Sequence, residues 1–145
     1  MTMVAAILRH KGNEVIAVAP GASVPEIAEV LRARGIGAVL VTDRLKQMLG
    51  IVSERDIVRS LAARGAATLE MTAAQLMTRV MTTVTPASTA EQAMRLMTEH
   101  RVRHLPVLEQ DHVVGLVSIG DVVKACMMEQ EQEVDSLRAY IAGAA

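Results

Sequence analysis

At 145 residues the chain allows one domain or two small halves sharing a core, and its net charge of −1 lacks the basic excess that phosphate backbones call for. Apolar residues make up 51% of it, yet Phe and Trp are absent and Tyr140 is the sole aromatic, so platforms for stacking single-stranded nucleic acid are missing. A single cysteine, Cys126, excludes an intramolecular disulfide, and the absence of any uncharged run of about 18 apolar residues argues against a membrane span; the expectation is a soluble, cytoplasmic protein.

In chain order, Thr2 to His10 reads as a short helix with Val4, Ile7 and Leu8 on one face, ended by Lys11-Gly12. Val15 to Val18 is a strand closed by Pro20-Gly21. Ser23 then caps a helix to Arg34 whose Val24, Ile27, Ala28 and Leu31 follow the spacing of a core face. The strand Ala38 to Val41, a polar turn, and the strand Leu49 to Val52 form a hairpin, and Glu54 to Arg64 is helical. Residues 66–78 join the halves and carry a short helix.

The pattern then restarts. Val84-Thr85-Pro86 echoes Val18-Ala19-Pro20, and Thr89 caps a helix with Ala90, Ala93, Met94 and Met97 inward. Pro20 to Ile36 spans 16 positions, as does Pro86 to Val102; Gly50 to Asp56 spans 6, as does Gly115 to Asp121. In both copies a Gly-apolar-Val-Ser-x-x-Asp run carries the chain from strand to helix: Gly50-Ile51-Val52-Ser53-Glu54-Arg55-Asp56 and Gly115-Leu116-Val117-Ser118-Ile119-Gly120-Asp121. One unit is used twice. A further helix, Glu129 to Ile141, lies outside the repeat with Met127, Val134 and Ile141 seven apart and Leu137 between. It either folds back on its own domain or packs on a second subunit.

Two β-α-β-β-α units of this kind, each with Pro before the first helix and Gly-h-h-Ser-x-x-Asp after the last strand, resemble a pair of CBS domains. Arg101-Val102-Arg103-His104-Leu105-Pro106-Val107 and the Gly115 to Val123 run are similar to the stand-alone bacterial CBS-pair proteins and their plant organellar relatives. The resemblance implies an α+β fold of tandem CBS domains packed about a pseudo-twofold axis. Repeat 1 with the N-terminal helix would cover 1–65, a linker 66–78, repeat 2 79–128, and a C-terminal helix and tail 129–145. It further implies an adenine nucleotide held in a cleft between the repeats, with AMP first among the candidates and ADP, ATP or NAD(H) as the others. No catalytic residue, catalytic cofactor or metal is implied.

The residues supply a separate argument. Ser118 ends a strand and opens a helix whose free N–H groups favour an anion. Asp121, one turn in, can accept from both ribose hydroxyls. Arg103 and His104, at the entrance of the neighbouring strand, can reach a phosphate. Ser53 and Asp56 repeat the arrangement in the first copy, with Arg55 as a local cation. By resemblance, Val80, Val102, Val15 and Ile36 would wall the adenine, and Pro106 belongs to the same nucleotide-binding set. Ser-x-x-Asp before an apolar run is equally a capping box, which needs no ligand. The first copy reads Gly37-Ala38 where the second reads Arg103-His104, which leaves weak binding, a different moiety or no ligand there.

His10, His100, His104 and His112 match no compact zinc spacing. Cys126 reads as a small hydrophobe, and no oriented nucleophile–base pair points to an enzyme. The function expected is a non-enzymatic sensor, a homodimer that modulates an effector protein, with no nucleic-acid or membrane partner. The alternative is a dimeric scaffold of the same fold that binds no nucleotide.

Overall fold

The structure, a computed structural model, describes residues 1–12, 14–79 and 82–144. The elements in order are α1 (Val4–Lys11), β1 (Ala17–Val18), α2 (Val24–Arg34), β2 (Ala38–Thr42), β3 (Met48–Ser53), α3 (Glu54–Arg64), a 3₁₀ turn (Gly65–Glu70), α4 (Ala73–Leu76), α5 (Ala90–His100), β4 (His104–Glu109), β5 (His112–Ser118) and α6 (Ile119–Ala144). This is the expected α+β pattern, and it divides into two compact units, residues 15–81 and residues 1–14 with 82–145.

In the first unit β1 pairs in parallel with β2, and β2 antiparallel with β3. Val39, Val41 and Val52 point inward onto Ile27 and Leu31 of α2. β1 is only two residues long, but Ile16 extends its pairing by accepting a hydrogen bond from Leu40 N. Ser23 and Glu26 cap α2 with a reciprocal capping box, as the Ser-x-x-Glu spacing predicts.

The second unit repeats this with β4 antiparallel to β5. Here the β1 equivalent is a single bridge: Val84 N donates to Pro106 O, and Leu108 N donates to Val84 O. A strand residue directs its N and O to the same side. The N–H that Pro106 lacks would therefore face Val84 rather than β5, which is why proline is tolerated mid-strand. The β2–β3 and β4–β5 ladders shift register at matching positions, between Val41 and Thr42 and between Val107 and Leu108.

α1 precedes repeat 1 in the chain and packs in the unit built by repeat 2. Its Val4, Ile7 and Leu8 join the core of Ala93, Leu105 and Val117. Val4 N and Ala5 N donate to Ser88 O and Pro86 O, as Ala73 N and Ala74 N of α4 donate to Ala22 O and Pro20 O. The helix that precedes each repeat thus closes the core of the other repeat's unit. The physical reason is the glycine of each Gly-h-h-Ser-x-x-Asp run. A Cβ on Gly115 would come within 2.6 Å of Leu8 in α1, and one on Gly50 within 2.7 Å of Thr78 O and 2.9 Å of Met77 Sδ, just past α4.

One expectation is corrected, at the C-terminus. The separate helix expected from Glu129 is instead continuous with the helix that opens after Ser118, giving α6 its 26 residues. Between Asp121 and Ala142 the sequence offers no Gly or Pro to end it, and Ala, Lys, Glu, Gln and Met all favour its continuation. Nor does it fold back on its own unit: residues 130–143 are all exposed.

Candidate functional site

The site is built where β4 begins and α6 begins. His104 is opposite Ser118 in the β4–β5 ladder, and Ile119 N donates to Arg103 O at 2.8 Å. The strand entrance is thereby stapled to the helix start. The first unit has the same staple, Glu54 N to Gly37 O at 2.9 Å, with Ala38 opposite Ser53.

Both Ser-x-x-Asp runs form capping boxes. Asp121 N donates to Ser118 Oγ at 3.2 Å, and Ser118 N donates to Asp121 Oδ2 at 2.9 Å. Asp56 N donates to Ser53 Oγ at 3.3 Å, and Ser53 N and Oγ donate to Asp56 Oδ2 at 2.8 and 3.1 Å. Two donors of the first turn of α6, Ile119 N and Asp121 N, are therefore committed within the protein. The helix end is a weaker anion site than its sequence suggests.

A residue that sequence reasoning missed completes the second copy. Lys11, at the end of α1, places Nζ 2.6 Å from Asp121 Oδ2 and 2.8 Å from Leu116 O. Burial alone would raise the Asp121 carboxyl. Hydrogen bonds from Lys11 and from Ser118, with the Lys11 charge, outweigh it and hold the group below the usual carboxylate range. A carboxylate has about four acceptor sites, and Ser118 N and Lys11 use two of them. No local signal reveals Lys11, because 110 residues separate it from Asp121.

The remaining expected residues divide. Val102 is half-buried against the second core, and Ile36 holds the same place on the first; their N–H groups donate to Met97 O and Leu31 O. Val15 is half-buried, whereas Arg103 and Arg55 are exposed. Pro106 is fully buried within β4, on the face opposite Leu105 and Val107 of the core. Val80 lies outside the described residues. Cys126 is half-buried beside the core, and burial, then Glu129 and Glu91, push its thiol up, away from the reactive thiolate. No helix among the described residues is long and apolar enough to cross a membrane.

The CBS-domain family model matches residues 4–63 and 73–128, and the chain belongs to that family, whose paired domains are regulatory modules. Among curated relatives it is 35% identical over 125 residues to the mitochondrial CBS domain-containing protein CBSX3 of Arabidopsis thaliana, covering 83% of this chain and 61% of that one. The chain thus spans about three fifths of that relative's length. Among solved structures, the CBS-domain containing protein ATU1752 from Agrobacterium tumefaciens is 44% identical with a TM-score of 0.82, over 86% of this chain and 92% of that one. The CBS domain pair of protein MJ0100, solved with 5′-methylthioadenosine and S-adenosyl-L-methionine, shares the fold at 23% identity and a TM-score of 0.78, over 89% and 98% of the two chains.

Proposed function

We propose that this chain is a non-catalytic sensor that binds an adenosine-containing nucleotide at the start of α6 and transmits occupancy to an effector protein in the cytoplasm. The observation that carries the reading is Asp121. It is an ionised carboxylate, fixed by Ser118 N and Lys11, at the mouth of a strand–helix corner that also carries Arg103 and His104. A ribose diol is the ligand group that suits an oriented carboxylate with acceptor sites to spare. Lys11, Arg103 and His104 favour a 5′-phosphate, which puts AMP ahead of ADP, ATP and NAD(H). The adenosine ligands of the MJ0100 pair support the ligand class. The first copy, with Gly37-Ala38 in place of Arg103-His104, is the weaker candidate.

A second reading is favoured by the complete capping boxes: the motif stabilises two helix starts, and the chain is a scaffold without a nucleotide. Calorimetric titration with AMP, ADP, ATP, NAD and NADH separates the two. The sensor reading expects one ligand to bind the native chain and binding to Asp121→Ala to weaken on the order of a hundredfold or more, through two lost hydrogen bonds to a charged acceptor. Asp56→Ala should bind as the native chain does. No binding by any of the five, with Asp121→Ala merely less stable, leaves the scaffold.

A further inference from the structure

From Gln130 to Gly143 every residue of α6 is exposed, so about 20 Å of helix stands clear of its own unit. A segment of that length is marginal as an isolated helix in water. Along it Met127, Gln130, Val134, Leu137 and Ile141 follow one another at intervals of three, four, three and four residues. Four of the five are apolar, and Met127, Val134, Leu137 and Ile141 are 57, 47, 58 and 60% exposed. This is the alternating seam of a coiled coil, with Met127, Val134 and Ile141 at a and Gln130 and Leu137 at d.

Two independent features specify what covers the seam. Val and Ile at a with Leu at d favour two parallel strands, and the seam's one polar residue, Gln130, sits at d. The flanks agree. Glu133 falls at g and Arg138 at the e position five residues on, the pair that meets between strands in a parallel, in-register dimer. A second copy of the same chain satisfies both conditions at once.

We propose that the Met127 to Ile141 face of α6 seats the same face of a second copy, forming a parallel two-stranded coiled coil. This rests on the packing of α6 and not on nucleotide binding. The test uses the full chain. Sedimentation equilibrium should give a dimer for the native protein, at least tenfold weaker in Leu137→Glu while the circular dichroism of the folded units persists. Glu133→Arg and Arg138→Glu should each weaken the dimer several-fold, and the double reversal should restore it. In a Cys126→Ser background, Gln130→Cys should oxidise to a disulfide-linked dimer and Asp135→Cys, on the outer face, should not. A native monomer, a dimer unaffected by Leu137→Glu, or a dimer in which Cys at 130 stays unlinked would each overturn the proposal.

Discussion

Lys11 Nζ lies 2.6 Å from Asp121 Oδ2 and binds the end of α1 to the first turn of α6. Because Asp121 is held below its ordinary value, its contribution to stability is complete above the unfolded carboxyl value of about 3.9 and is lost as pH falls through the lower folded value. The pair is partly exposed, so screening limits it to roughly 0.5–1 kcal/mol. Lys11→Met should therefore lose about that much in urea unfolding at pH 7 and progressively less once the pH falls below the folded carboxyl value. A loss that does not change with pH would mean that the lysine stem, and not its charge, carries the effect.

Among the described residues no cation pairs with Asp56, which makes Ser53 and Asp56 a test of capping alone. Ser53→Ala should cost about 1 kcal/mol, because one orphan N–H of α3 loses its acceptor. Asp56→Ala should cost a similar amount, and the double variant less than the sum, since each residue's bond depends on the other. Near-additive losses in chemical denaturation would show that the box is not reciprocal in solution.

How much of this was readable in the chain depends on the range of the interaction. The capping boxes, the hairpins and the core face of α2 are set within a few residues, and spacing alone located them. The repeat, visible as equal intervals from Pro20 and Pro86, located Ser118 and Asp121. Placing α1 was harder, since nothing near Leu8 says that it will lie on Gly115. Lys11 was hidden for the same reason. The continuity of α6 was masked because its apolar stripe changes from core-facing to exposed at about Met127.

The two equivalent glycines should respond unequally to alanine. At Gly50 the added methyl meets a backbone oxygen, Thr78 O, which moves only if the segment beyond α4 moves, so Gly50→Ala should cost about 1–3 kcal/mol. At Gly115 it meets the methyls of Leu8, which can change rotamer. Gly115→Ala should cost less, and combining it with Leu8→Val should recover part of the loss. Thermal melts of the three variants decide it; equal losses at both glycines would contradict the assignment of backbone against side chain.

Arg101 closes α5 in the left-handed region at φ 53°, where its counterpart Gly35 closes α2 at φ 61°. Both ends use the same closure, with the next residue's N–H returning to the helix: Val102 N to Met97 O and Ile36 N to Leu31 O. A side chain in that region costs about 1–2 kcal/mol, and glycine there costs only its extra freedom in the unfolded chain, about 0.4–1 kcal/mol. Arg101→Gly should thus stabilise the protein by roughly 0.5–1 kcal/mol and raise the melting midpoint by about 2–4 °C. Gly35→Ala should move it the other way by a similar amount. A lower midpoint for Arg101→Gly would mean that the Arg101 side chain makes a stabilising contact large enough to outweigh its backbone strain.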